Sequence, residues 1–187
     1  MSWLRKNIWV VFIGGIVFLI IISAILRILT PPKPPEDAVS WQGIYPGYTT
    51  IQELAATFGE PEQVIPSTNG QTLLYTSEYN DRPHQVIADQ EGTVRFIKEH
   101  LFYENYPTLD QLVTELGPYE LELFYEEGLK GYVFLSKGVV AIASPATQRI
   151  TQKWYFEPVP REVFLSSWGK ELSEQAPAPE SGHGAPR

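Results

Sequence analysis

The sequence predicts an α+β protein: a single transmembrane helix, followed by two tandem helix-plus-antiparallel-strand repeats forming one curved sheet backed by helices. Three observations carry that expectation. Residues 8–26 form an uncharged, almost wholly apolar run. Two short segments, at Thr50 to Gly59 and at Thr108 to Gly117, share the same start, apolar stripe and stop at an offset of 58 residues. Each is followed by several short stretches of strand-like text.

At about 1.5 Å rise per residue, the apolar run spans roughly the 30 Å hydrocarbon core of a bilayer. It exceeds a signal-peptide h-region of about 7 to 15 residues, and Ser23-Ala24-Ile25 is not an A-x-A-like cleavage site. The expectation is an uncleaved signal anchor over residues 1–29, embedded in lipid through 8–26. Arg5 and Lys6 before the run face Arg27 and Lys33 after it, nearly a tie under the basic-flank rule. The α-amino group tips the reading to a cytoplasmic amino terminus and an extracytoplasmic carboxy-terminal domain. Residues 30–40 carry four prolines and read as a semi-rigid polyproline linker. Residues 169–187, rich in Pro, Ala, Gly, Ser and Glu with little to bury, read as a disordered tail.

The remaining stretch holds the folded body. In a chain of 187 residues, 43% of them hydrophobic, a membrane segment leaves room for one modest core. Thr50 and Glu53, and likewise Thr108 and Gln111, have the spacing of a capping box. Ile51, Leu54, Ala55 and Phe58 then follow the i, i+3, i+4, i+7 pattern of one helix face, as do Leu109, Leu112, Val113 and Leu116. Gly59 and Gly117 stand where a C-terminal cap favours glycine, and Pro61 and Pro118 prevent continuation.

Strands are expected after the first helix at residues 72–78, 85–88 and 93–98. After the second they are expected at 119–125, 131–136, 139–143 and 149–156. Glu120 and Glu122 alternate with Leu121 and Leu123, the pattern of a sheet with one wet face. Units of this size are too small to be secure alone, so residues 41–103 and 104–165 are expected to pack as one domain.

The pattern Ile44-x-x-Gly47, then Thr50-x-x-x-Leu54-x-x-x-Phe58-Gly59-x-Pro61, resembles the opening of the BamE (SmpA/OmlA) family of bacterial envelope proteins. Gly70, Leu74-Tyr75 and Asp89-x-x-Gly92-x-Val94 resemble that family's strands. The likeness covers residues 41–98 well and 106–156 more loosely. Gly47-Tyr48-Thr49-Thr50 has one residue more than the family's Gly-x-Thr, and Asn105-Tyr106-Pro107 stands where the second copy needs that glycine. A tandem pair of such units is similar to the β-lactamase-inhibitory-protein fold. The resemblance implies a non-catalytic module that binds another protein outside the cytoplasm, in an accessory or inhibitor-like role. Where the transmembrane helix makes the main contact, the alternative is a structural or coupling subunit of a membrane complex.

Composition narrows the chemistry. All 22 acidic residues but only 11 of the 14 basic ones follow Thr30, giving that part a formal charge of −11, which repels phosphate backbones. Nucleic-acid binding is therefore not expected. There is no cysteine, so disulfides, thiol catalysis and thiolate metal sites are excluded. His84 follows turn text at Asp81-Arg82-Pro83, His100 lies near a strand end, and His183 stands alone in the tail. The acidic stretches Asp89-Gln90-Glu91-Gly92 and Glu126-Glu127-Gly128 read as solvated turns. No catalytic set, metal site or small-molecule cofactor is expected. The positive signal is aromatic: tyrosine and tryptophan on an open sheet make a low-entropy binding surface. Tyr75, Tyr79, Tyr132, Trp154 and Tyr155 are the candidates for contact with a protein partner.

Overall fold

A computed structural model describes residues 33–78, 82–101 and 107–176. The chain divides into two units, Met1–Lys33 and Pro34–Arg187. Of the first, only Lys33 is among the described residues. In the second, the elements in order are α1 (Ile51–Phe58), β1 (Gln63–Ser67), β2 (Gly70–Tyr75), β3 (His84–Asp89), β4 (Val94–His100) and α2 (Leu109–Leu116). They continue with β5 (Leu121–Phe124), β6 (Lys130–Phe134), β7 (Val139–Ala143), β8 (Ile150–Phe156) and α3 (Arg161–Ser166).

Both longer helices carry the caps their sequences require. Thr50 Oγ1 accepts from the Glu53 N–H, and the Glu53 carboxylate accepts from the Thr50 N–H at 2.8 Å. Thr108 and Gln111 repeat the exchange, with the Thr108 N–H donating to Gln111 Oε1 at 2.8 Å. An eight-residue helix is marginal by itself. These two are held by buried Leu54 and by buried Leu109 and Leu112. The first helical N–H of each, which has no intrahelical partner, is satisfied by a hairpin: Ile51 N–H donates to the Gly92 carbonyl and Leu109 N–H to the Gln148 carbonyl.

The eight strands among the described residues belong to one antiparallel sheet in the order β1-β2-β3-β4-β8-β7-β6-β5. The seam is the β4–β8 pair, with Ile97 opposite Tyr155 and Lys98 opposite Trp154. Two positions demand glycine. A Cβ on Gly70 would sit 2.0 Å from the Ala88 carbonyl oxygen, and one on Gly138 would sit 2.0 Å from that of Phe156. Both hairpins could not close so tightly around a side chain.

Because strand side chains alternate, the sheet builds two cores. On one face Leu73, Tyr75, Val86, Ile97, Tyr132, Phe134, Val139 and Tyr155 pack with Trp41 and with Leu54, Leu109 and Leu112 of α1 and α2. On the other, Phe96, Leu123, Val133, Val140, Ile142, Trp154 and Phe156 pack with Phe164 of α3 and with Leu172.

The expected fold class is corrected by this architecture. The chain does not resolve into two helix-and-strand repeats behind a transmembrane helix. Its described residues form a single eight-stranded sheet with three α-helices, the third being α3 over the second face. Among the described residues no helix is long and apolar enough to cross a membrane. The transmembrane helix, the signal anchor and the single-pass localisation that followed from them are therefore withdrawn. The run 8–26 on which they rested lies outside the described residues.

Two further departures have local causes. β1 lies outside the expected strands: its five residues are exposed throughout and contain Pro66, so no apolar alternation marks them. The segment expected to be disordered from residue 169 begins folded. Gly169 lies so close to Phe164 that a Cβ there would meet the ring at 2.7 Å, and Leu172 is buried. Ser173 and Phe124 exchange backbone hydrogen bonds at 2.7 and 2.9 Å. Residues 177–187, including His183, lie outside the described residues.

Candidate functional site

The aromatic candidates do not assemble into a surface. Tyr75, Tyr132, Trp154 and Tyr155 are each at most 5% exposed. Tyr79 lies outside the described residues. Tyr75 meets Phe58 edge-on at 6.0 Å, and Phe58 stacks on Trp41 at 4.4 Å. Tyr132 packs against Tyr119 at 5.1 Å. Trp154 and Tyr155 are neighbours in one strand and so point to opposite faces. Their polar atoms are satisfied inside: the indole N–H donates to Gln152 Oε1 at 3.1 Å, and the Tyr155 hydroxyl donates to Glu99 Oε2 at 2.7 Å. Burial, reinforced by Glu99, pushes the Tyr155 phenol well above its ordinary range. Period-two spacing correctly places residues on a common face. It carries no information about what covers that face.

The two body histidines are likewise accounted for by packing. His84 Nδ1 accepts from the His100 N–H at 3.2 Å, and its ring stands edge-on to Trp41 at 5.3 Å. Burial lowers its pKa, against the opposing pull of Glu99 and Glu78. At the β3–β4 hairpin, burial pushes the Asp89 carboxyl up. Hydrogen bonds from the Thr93 N–H, the Arg95 side chain and the Glu91 N–H outweigh it and bring the pKa below the ordinary value. The acidic turn is thus organised by protein donors. A pocket of about 210 Å³ lined by Tyr45, Tyr48, Phe156 and Pro158 is smaller than the roughly 300 to 1,000 Å³ of typical small-molecule sites, while open depressions of about 420 Å³ beside Gln71 and Gln90 and about 480 Å³ beside Tyr119 and Tyr132 fall within that range.

What distinguishes the molecule is the inequality of its two sheet edges. At the β5 edge, Phe124 is bridged by Ser173 and Leu123 is buried. At the other edge, β1 is exposed along its whole length. Val64 and Ile65, on opposite faces of the strand, are 46% and 42% exposed, far beyond what apolar strand residues adopt inside a sheet. β1 and β2 are joined by the two-residue turn Thr68-Asn69, with Ser67 paired to Gly70. Antiparallel ladder bonds alternate from such a pair. The Val64 N–H and C=O and the Pro66 C=O therefore point away from β2. Pro66 forfeits no ladder bond, because its missing N–H lies on the open side.

The face beside this edge is also open. Ile65, Thr72 and Ile87 lie in one cross-strand row that continues to Phe96. The half-exposed floor ends there against Trp168, which stacks on Phe96 at 4.9 Å. Beyond it stands the Lys98–Glu171 ion pair at 2.8 Å. Charge is one-sided in this part of the chain. Between Lys33 and Arg82 there is no basic residue, while Glu36, Asp37, Glu53, Glu60, Glu62, Glu78 and Asp81 fall in that interval. The Val64-Ile65 pair before a Thr-Asn-Gly turn was the signal that could have located this site from sequence.

No family model matches the chain, and no curated protein matches it. The resemblance to BamE therefore rests on the quoted residues alone. Among solved structures, 66% of the chain aligns with 86% of YjgB, a DUF4309 family protein of Bacillus subtilis, at 20% identity and a TM-score of 0.46. An extracellular protein containing an SCP domain from Bacillus anthracis aligns over 80% of this chain and 55% of its own, at 12% identity and a TM-score of 0.45. A cysteine-rich secretory protein of Staphylococcus aureus aligns over 80% of this chain and 53% of its own, at 10% identity and a TM-score of 0.43. The chain spans about half the length of these last two proteins.

Proposed function

We propose that this chain is a non-enzymatic protein-binding module of the accessory or inhibitor kind. It engages its partner through the open end of its sheet, formed by the β1 edge and the face beside it. The observation that carries the reading is the pair of exposed, adjacent apolar residues Val64 and Ile65 on a strand with free outward backbone groups. Unpaired strand edges are templates for another chain, and proteins ordinarily blunt or cover them. Here the β5 edge is bridged at Phe124 by Ser173, and the β1 edge has no such bridge among the described residues. The BamE-like pattern from Ile44 to Pro61 points the same way, since that resemblance implies binding without catalysis.

The test uses the full chain carrying a photo-crosslinking phenylalanine analogue at Ile65, compared with one at Thr147 in the exposed β7–β8 turn. The expected result is a discrete adduct at Ile65 and none at Thr147, followed by saturable binding of the purified adduct protein to the unmodified chain. Equal capture at both positions, or no saturable binding, would overturn the reading.

A further inference from the structure

We infer that the occupant of the β1 edge is a short, extended, lysine- or arginine-bearing segment of the partner protein, added antiparallel or parallel as a ninth strand. The inference rests on the protein-binding reading and names the chemistry of the partner. Three features converge on it. First, the backbone groups left open by the β1–β2 ladder are those of a strand awaiting a neighbour, and their number is small. Pro66 removes one donor, so the added pairing is confined to roughly the five residues of β1, about 17 Å of chain. Second, Val64 and Ile65 project to opposite faces, so an added strand with apolar residues at two adjacent positions covers both.

Third, carboxylates stand at both ends of the strand. Glu60 and Glu62 immediately precede it, and exposed Glu78 follows β2, whose Leu74 lies opposite Gln63. At the far end is exposed Glu91, in the hairpin tied to β1 by the Gln90 side-chain donation to the Thr68 carbonyl at 2.9 Å. No lysine or arginine lies in the sequence from 34 to 81; nearby, Arg95 is paired with Asp89 and Arg82 follows the β2 end. A second copy of the chain would bring the same carboxylates into apposition, so like-charge repulsion opposes self-pairing at this edge. A basic segment meets complementary charge at both of its ends.

The probe is a heptapeptide with two adjacent central valines flanked on both sides by lysines, added to the full chain, with a glutamate-for-lysine version as its counterpart. Amide resonances and hydrogen exchange of Val64, Ile65 and Ser67 are followed. The lysine peptide is expected to shift these resonances and slow exchange of the Val64 N–H. Its affinity is expected to fall several-fold between about 50 and 300 mM salt as screening shortens the range of attraction. The E60K/E91K double variant, altered at two exposed side chains, is expected to bind it about tenfold more weakly with unchanged stability. Equal binding of the glutamate peptide would overturn the charge assignment while leaving the open edge in place. Shifts confined to residues remote from β1 would overturn the edge itself. Failure of both peptides, alongside a crosslinked partner at Ile65, would overturn this inference and leave the protein-binding reading standing. Self-association through β1 in sedimentation would identify the occupant as a second copy and overturn it equally.

Discussion

Removing one hydroxyl, by Tyr155→Phe, tests whether the seam of the sheet is held as described. Tyr155 is 5% exposed, sits opposite Ile97 at the β4–β8 junction, and donates to Glu99 Oε2 at 2.7 Å. A hydrogen bond to a charged group contributes about 1.5 to 3 kcal/mol. Glu99 is only half-buried, so water partly replaces the lost donor and the cost belongs at the lower end, about 1 to 2 kcal/mol. For a domain of this size that lowers Tm by roughly 3 to 6 °C. The same contact has a pH signature. Burial first, then Glu99, raises the folded-state pKa of Tyr155 well above the ordinary tyrosine value of about 10. Its contribution is therefore fully present below the unfolded pKa and is lost as pH rises from there through the folded pKa. Urea unfolding followed by tryptophan fluorescence should show wild type more stable than the variant at pH 7, with the gap narrowing above about pH 10. A gap under about 0.5 kcal/mol at pH 7, or one that stays constant into the alkaline range, refutes the assignment.

The capping boxes make a paired prediction: Thr50→Ala and Thr108→Ala should each cost about 1 kcal/mol in denaturant unfolding. A neutral result at either position would mean that its helix is held by packing alone. Leu172→Ala should cost about 2 to 3 kcal/mol, since it empties space against Gly131 and Ile142; stability unchanged in the same assay would show the segment after Trp168 to be detachable. Burial lowers the His84 pKa below 6.5, so its contribution is present above the unfolded pKa and is lost as pH falls through the folded value. Comparing wild type with His84→Phe at pH 7.5 and pH 5 should show a smaller acid loss in the variant, whatever the fixed cost of the lost His100 N–H acceptor.

The elements that could be read from sequence are those whose causes are local. Thr50 with Glu53 and Thr108 with Gln111 act within one turn, and Gly59 and Gly117 terminate their helices through their own backbone freedom at φ 79° and 89°. β7 is an uninterrupted apolar run from Val139 to Ala143, and its bounds matched the expectation residue for residue. The sequence also determined the one-sided charge of the stretch between Lys33 and Arg82.

Tertiary structure alone decided which surfaces are covered. Trp154 and Tyr155 looked like contact residues because alternation assigns faces without saying what lies on them. Phe164 and Leu172, arriving from the end of the chain, cover the face of Trp154, while α1 and α2 lie on the face of Tyr155. β1 exists because β2 offers it a ladder, and the only local sign of that pairing is Val64-Ile65 before the Thr68-Asn69-Gly70 turn. Its exposure follows from its place at the end of the strand order. Coverage and edge position are properties of how distant segments meet, and the free energy that sets them is burial summed over the whole sheet.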